Sequence, residues 1–244
     1  MEGNLINNSI DRNEKKKEIE EEHDLDFSIE NGPLYSSLIL DLKPSQTVLA
    51  EASVIEAMDS SITLIAKLQD GLLKTLTKAL GKELLFINQF AAEFKPGRLF
   101  LAPPLPGHIH HYYLTGRTGI LLQSSHFIAC VPTVQIDIKF LGMKNFFNDT
   151  STFLLRTIGQ GDVWFSSYGG LVEITVQDDF LVDTGYVVAF EDTLNYDIEM
   201  IEGLVIKSDR TKYYGGKGLV CRFKGEGKVW IQARQTNAFL NFIE

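Results

Sequence analysis

The sequence predicts an all-β fold, a double-stranded β-helix or sandwich-like barrel built from three diverged β-units with one short inserted helix. Short apolar or alternating runs are separated by Gly, Pro, Asn, Asp and Ser at close intervals, which is typical of strands and turns. Similar segments recur along the chain, and one segment has a clear helical period. The 244 residues, 44% of them hydrophobic, are enough for one sizeable core.

The chain begins with a charged segment that we expect to be disordered. Residues 1–31 hold ten acidic and four basic residues, and the rest of the chain holds 22 acidic and 19 basic residues. A run such as KKKEIEEEHDLD buries too little apolar surface to offset the entropy lost on ordering it. We therefore predict an acidic tail over residues 1–31 and a single β-rich domain over residues 32–244. The weak net charge of that domain disfavours generic nucleic-acid binding.

The predicted strands recur in three units. Residues 156–164 (RTIGQGDVW) match residues 222–230 (RFKGEGKVW) at five of nine positions. Upstream, residues 182–190 (VDTGYVVAF) align with residues 122–130 (LQSSHFIAC) and more loosely with residues 42–50 (LKPSQTVLA). Each unit ends in Gly-x-[Leu/Val]-[Phe/Trp], and three units that cannot bury a face alone are expected to share one core. We place the units at about 42–102, 122–164 and 182–232.

The Gly225-Glu226-Gly227 motif in the third unit invites comparison with a phosphate loop. Phosphate loops use the free amides at a helix N-terminus, whereas this motif lies between two predicted strands and carries an acid. We interpret it as a hairpin turn in which glycine supplies a positive φ, with Gly159-Gln160-Gly161 as its twin. Arg156 and Arg222 beside the two motifs are expected to occupy equivalent places, in ion pairs or at a subunit contact.

One segment breaks the strand pattern and predicts a short amphipathic helix over residues 71–80. Asp70 can cap its start, Gly81 can end it, and its apolar residues recur at helical spacing. We interpret it as an insertion in the first unit that covers the β-core. The alternative is a surface helix that engages a membrane or a protein partner. In that case the contact residues are Leu72, Leu73, Leu76, Lys74 and Lys78.

GHIHHYYL (residues 107–114) contains a histidine cluster. On a strand His108 and His110 share one face, as the His-x-His pair of a cupin-type metal site does. A cupin also needs a nearby Glu and a later His on a matching strand, and His126 is the only later histidine. An edge strand with solvated or half-buried histidines is the preferred interpretation. A cupin-like metal or small-ligand enzyme that uses His108 and His110 is the alternative.

The remaining motifs favour a protein that is not an enzyme and needs no cofactor. Ser125 and His126 are adjacent, so on a strand their side chains point to opposite faces and cannot act together. Cys130 and Cys221 each stand alone in an apolar run, which predicts buried thiols in a reducing compartment, with a single disulfide as the alternative. The N-terminus lacks a basic start followed by an apolar run, so we expect a cytoplasmic protein.

The order of motifs resembles the family named for altered inheritance of mitochondria, also called the mitochondrial biogenesis family. The resemblance runs from about residue 34 to the C-terminus. It rests on KPSQTVLAEAS, GRLFLAPPLPGHI, GQGDVWFSSYGG, FLVDTGYVVAFEDTLNYDIE and GKGLVCRFKGEGKVWIQARQ. The chain departs from the family at Ser45, where a tight turn usually has Gly, and at His108, where Asp is usual.

The resemblance implies a β-rich body similar to the tryptophan RNA-binding attenuation protein, in an oligomer. It implies no established enzymatic activity and no catalytic residues. Mitochondrial members of the family are linked to inner-membrane organisation, which implies a mitochondrial or peripheral membrane location as the alternative to the cytoplasm. The leading hypothesis is therefore a non-enzymatic, homo-oligomeric scaffold or binding protein. A membrane-complex partner acting through residues 71–80 is the first alternative, and the cupin-like enzyme is the second.

Overall fold

The computed structural model describes residues 22–65, 87–139, 153–200 and 219–235, and this part of the protein is nearly all β. Two 3₁₀ turns, Ala52–Val54 and Ser124–His126, interrupt the strands. The strands are β1 Asp26–Glu30, β2 Ser37–Leu42, β3 Thr47–Glu51, β4 Ile55–Met58, β5 Ile62–Ile65, β6 Ile87–Ala92, β7 Gly97–Leu101, β8 Ile109–Thr115, β9 Ile120–Gln123, β10 Phe127–Cys130, β11 Val134–Lys139, β12 Leu154–Ser166, β13 Leu171–Val176, β14 Asp179–Asp183, β15 Val187–Glu191, β16 Asn195–Met200, β17 Leu219–Lys224 and β18 Gly227–Gln232.

The strands form three antiparallel sheets in a sandwich-like arrangement. The 11-stranded sheet follows the order β13-β18-β15-β9-β12-β10-β3-β6-β5, with β8 and β11 also paired to β12. The 4-stranded sheet has the order β1-β2-β7-β4, and the 3-stranded sheet has the order β14-β17-β16. The all-β, sandwich-like fold that the sequence predicts is confirmed. Within the described ranges the strands do not close into a barrel.

Both Gly-x-Gly motifs mark a change of strand partners. Gly225-Glu226-Gly227 carries the chain from the 3-stranded sheet to the 11-stranded sheet, and Gly159-Gln160-Gly161 lies inside β12, whose partners change from β9 and β11 to β8 and β10. β17 pairs with β14 and β16, whereas β18, which follows Gly225 and Glu226, pairs with β13 and β15. The predicted hairpin turn is therefore wrong, because β17 and β18 have different partners. The predicted positive φ is present, at 107° for Gly225, 112° for Gly159 and 137° for Gly161. At these angles the chain bends into a corner, and a side chain there would be strained.

The same pairing pattern occurs at three places along the chain. In β4, β10 and β15 the register shifts just before an alanine. That alanine lies opposite an aromatic residue three positions after a glycine, and the strand segment before this glycine pairs with other strands. The pairs are Ala57 with Phe100, Ala129 with Trp164, and Ala189 with Trp230.

One hydrogen bond also recurs at the corner beside each pair. A turn hydroxyl donates to the carbonyl just before the glycine in Ser61 Oγ to Pro96 O (2.9 Å), Thr133 Oγ1 to Gln160 O (2.7 Å) and Thr193 Oγ1 to Glu226 O (2.9 Å). These matches equate residues 122–130 with 182–190 and with 50–58. The looser alignment with residues 42–50 is therefore wrong by eight residues. The sequence did not reveal this error, because a shift by an even number of residues keeps the alternation of apolar side chains along a strand.

The domain begins earlier than the sequence predicts. β1 pairs with β2 along its whole length, and Leu25 just before it is buried. The predicted disordered tail is therefore wrong for residues 22–31, where alternate apolar side chains, including Phe27 and Ile29, pack against the core. Residues 1–21 and the predicted helix over residues 71–80 lie outside the described residues.

The core has two clusters of buried side chains. The larger one includes Trp164, Trp230 and Phe90, and the smaller one, drawn mostly from the last third of the chain, includes Phe190 and Phe223. Both cysteines are buried and free, so the predicted buried thiols are confirmed. Burial raises the pKa of the Cys221 thiol to about 12, which makes it unreactive at neutral pH.

Candidate functional site

The histidines of the GHIHHYYL segment lie in different surroundings. His108 precedes β8, and its backbone amide donates to Gly169 O (3.1 Å). Its Nδ1 atom is buried without a hydrogen-bond partner among the described residues, and burial lowers the pKa of the ring. His110 lies in β8, with its ring 5.1 Å from that of Phe165 and 5.9 Å from that of Trp230. In the described ranges, no three His, Cys, Asp or Glu side chains come together as metal ligands.

The strongest polar cluster in the described residues is centred on Asp162 in β12. Its carboxylate is fully buried, and Oδ2 accepts hydrogen bonds from the amides of Asp24 and Leu25, both at 2.9 Å. Oδ1 lies 2.9 Å from His111 Nε2. The carboxylate therefore ties the segment before β1 to β8 and β12. Because both oxygens already have protein partners, the cluster is a structural clamp rather than a site that awaits a substrate.

The clamp is not among the sites predicted from the sequence, although the repeat contains one signal for it. In the repeat, Asp162 aligns with Lys228, and the corner glycines place Arg98 at the matching position of the first unit. Lys228 and Arg98 form surface ion pairs with Glu173 and Asp59. An acid at a position that otherwise holds an exposed base is a mismatch that marks a special environment.

Beside the clamp lies an open cleft of about 440 Å³. Its polar lining already has partners within the protein. Gln46 Oε1 accepts from Lys43 N (2.7 Å), Thr133 donates to Gln160 O, and Gln160 Nε2 donates to the Tyr113 hydroxyl (3.4 Å). These internal bonds leave the cleft with few groups oriented toward a ligand.

Arg156 and Arg222 occupy matching places, each opposite an aspartate of the neighbouring strand, and both form ion pairs as predicted. Arg156 Nη2 lies 2.6 Å from Oδ2 of Asp192, in the turn after β15. Arg222 instead pairs within its own sheet, with Asp179 at 2.6 Å and Glu199 at 2.7 Å. These two carboxylates raise the pKa of Arg222. Only the Arg156 pair thus joins two of the recurring units.

Two internal seams join matching strands of successive units with the same register. In the first seam β10 lies beside β3, with Ala129 opposite Ala50. In the second seam β15 lies beside β9, with Ala189 opposite Leu122. Ala50 and Leu122 each stand seven residues before the alanine of their own unit, Ala57 and Ala129. The same strand positions are therefore used twice.

β4 and β14 lack the partner that their counterparts have. Among the described strands β4 pairs with β7 alone and β14 with β17 alone, whereas β10, β15, β3 and β9 each have two partners. β5, β11 and β16 are also edge strands, but they are counterparts of one another in the three units. Each has a single partner in the described structure, so none of them lacks a partner that a counterpart has. Ala57 in β4 is exposed, while Ala129 and Ala189 are 0% exposed. Within the described ranges, β4 and β14 thus each have one strand edge without a partner, where another strand can pair.

The predicted interaction residues of the 71–80 helix, Leu72, Leu73, Leu76, Lys74 and Lys78, lie outside the described residues. The membrane-partner alternative therefore stays a prediction. In the part of the chain that the structure describes, no helix is long and apolar enough to cross a membrane.

Known proteins share this architecture. A family model described as "Mitochondrial biogenesis AIM24" matches residues 27–234. A Streptococcus pyogenes protein solved by X-ray crystallography has the same fold, with a TM-score of 0.73 and 24% sequence identity. That match covers 90% of this chain and 98% of the other. No curated protein matches the sequence.

Proposed function

The chain belongs to the mitochondrial biogenesis AIM24 family, and from that premise we propose that it is a non-enzymatic scaffold that self-assembles through the unpaired edges of β4 and β14. The observation that carries the proposal is the exposure of β4, whose counterparts β10 and β15 are covered on both edges. An unpaired strand edge is a template for another strand, and proteins that stay monomeric usually block such edges.

The side chains on the two edges favour association over solvation. Met58 in β4 is 45% exposed and Leu181 in β14 is 44% exposed. β4 contains one charged residue, Glu56, and β14 contains two, Asp179 and Asp183, of which Asp179 forms an ion pair with Arg222. Neither strand contains the lysine or proline that commonly protects an edge. Covering these side chains removes apolar surface from water, and pairing the backbones adds interstrand hydrogen bonds.

Light scattering after size-exclusion chromatography tests the proposal. We expect the molar mass of the eluting full chain to be twice the monomer mass or a higher whole multiple of it. Replacing Met58 and Leu181 together by Lys should give a monomer, because two charges cannot be buried at the contact without a partner. Val172→Lys is the matched control, since Val172 is also an exposed apolar residue of an edge strand, at 51%, but that strand is β13, outside the proposed contact. A full chain that stays monomeric at all concentrations contradicts the proposal.

The location of this scaffold, in the cytoplasm or at a mitochondrial membrane, belongs to the same proposal. The description of the family supports a role in mitochondrial biogenesis. A scaffold of this kind acts by holding several copies in one geometry, so loss of assembly should remove its function while the fold of each chain persists.

A further inference from the structure

We infer that the strand that pairs with β4 is β14 of a second copy of this chain, so that copies join head to tail. The inference rests on the proposed self-assembly and adds the partner strand and its register. It also treats the protein as a series of three units, each built of the same strand pairs around Ala57, Ala129 and Ala189.

The two free edges are the two halves of one missing seam. In each unit the recurring pattern contains a strand with the paired alanine (β4, β10 or β15, here called the alanine strand) and, just before it in sequence, a second strand (β3, β9 or β14). In each internal seam the alanine strand of one unit pairs with the second strand of the previous unit, as β10 pairs with β3 and β15 pairs with β9. By the same rule the alanine strand β4 of the first unit needs a unit before it. The third unit has the complementary strand, β14, without a partner beyond β17 among the described strands. A third unit therefore fits in front of the first unit of another copy.

The internal seams also fix the register. In both of them the alanine pairs with the residue seven positions before the alanine of the neighbouring unit, as Ala129 does with Ala50. Val182 stands seven positions before Ala189, so the rule places Val182 opposite Ala57 and Leu181 opposite Met58. This register brings the exposed apolar side chains of both edges into contact.

One pair of like charges opposes this contact and makes the register testable. The paired positions of both internal seams end at the alanine, so Glu56, just before Ala57, and Asp183, just after Val182, meet at the end of the proposed contact, where like charges are unfavourable. Oδ1 of Asp183 already accepts hydrogen bonds from Gly185 N (2.9 Å) and Gln235 Nε2 (2.8 Å), so it has little freedom to move away. Glu56→Gln should therefore strengthen assembly by about two- to fivefold, the range expected for a cross-strand pair.

Joining β4 to β14 is a heterologous contact, because the two surfaces differ. Such contacts close into a ring when the rotation from copy to copy closes, and otherwise extend into a filament. Pairing of β4 with β4 of a second copy would use a different register from either internal seam. Pairing of β4 with β14 of the same chain would leave the protein a closed monomer.

Disulfide cross-linking between two single variants separates these arrangements. One batch carries Met58→Cys and the other carries Leu181→Cys, and the two are mixed under mild oxidation. Both native thiols are buried, and burial raises the pKa of both, so the introduced thiols react first. We expect a linked dimer in the mixture and none in either batch alone. The control pair, Met58→Cys with Val172→Cys, should stay unlinked.

The other possible results contradict the proposed function, the β4–β14 pairing or its register. A monomeric full chain in light scattering contradicts both the proposed function and this inference. An oligomer without the Met58 to Leu181 link, or one in which Met58→Cys links to itself, overturns the inference alone. The variant that carries both Met58→Cys and Leu181→Cys tests pairing within one chain. If its two introduced thiols are oxidised while its mass stays that of one chain, the disulfide lies within the chain and the inference is wrong. An assembly that Glu56→Gln leaves unchanged or weakens contradicts the register.

Discussion

Replacing Asp162 by Ala should lower the free energy of unfolding by about 3–5 kcal/mol. The buried carboxylate accepts from the amides of Asp24 and Leu25 and lies 2.9 Å from His111 Nε2. Removing it leaves three polar groups without this partner, and each buried group left unpaired costs about 1–3 kcal/mol. The amide of Asp24 is only partly buried and can recover a water, which places the total in the lower half of the summed range.

Urea unfolding of the full chain measures this loss, and amide hydrogen exchange at Leu25 locates it. Exchange at Leu25 should accelerate, because its amide loses its acceptor while the rest of the sheet is kept. Lys228→Ala is the matched control at the equivalent position of the third unit. Its side chain is 41% exposed, so the change should stay within about 1 kcal/mol. A loss below about 1 kcal/mol for Asp162→Ala, with unchanged exchange at Leu25, would refute the clamp.

Three further predictions test the fold and the membrane alternative. Burial lowers the pKa of His126 to about 4, so as the pH falls the unfolded chain takes up a proton at this residue before the folded chain does. The free energy of unfolding, measured in urea, should therefore fall by about 2–3 kcal/mol between pH 7 and 4.5, and by less in His126→Gln. An equal loss in the parent and in His126→Gln would contradict this prediction. Ser45 has a φ of 71°, so Ser45→Gly should raise the melting temperature, whereas Gly225→Ala, at a φ of 107°, should cost about 1–2 kcal/mol; opposite signs in calorimetry would be unexpected. If the 71–80 helix binds membranes, the full chain should float with liposomes and a folded Leu73→Asp, Leu76→Asp variant should not, and a full chain that never floats ends that alternative.

The sequence predicts the all-β class because alternation and turn residues are local signals. The recurrence of Gly-x-[Leu/Val]-[Phe/Trp] also locates corresponding strands, since the glycine has to be small at each corner: a Cβ on Gly161 would lie 2.3 Å from Val131. The partner of a strand is not local. A Gly-x-Gly between two strands predicts a reversal, and only the pairing of β17 and β18 with different strands shows that the chain changes sheets.

The candidate site was less accessible for the same reason. Asp162 depends on residues 138 and 137 positions away, and a distant backbone amide leaves no pattern in sequence. The free edges of β4 and β14 become visible only by comparison with the covered edges of β10 and β15. The turn at Ser45, in contrast, could be predicted before the structure, because the family resemblance indicates a tight turn there. Ser45 does adopt a left-handed φ, of 71°.

The most direct test of head-to-tail assembly is amide hydrogen exchange of the full chain, resolved by residue, at low and at high protein concentration. We expect the outward amides of β4 and of β14 to become protected together as the concentration rises, while those of β5 and β16 do not. Leu181→Lys should remove the protection from both strands at once. Free exchange in both strands of an assembled protein, or protection of only one of them, would contradict head-to-tail assembly.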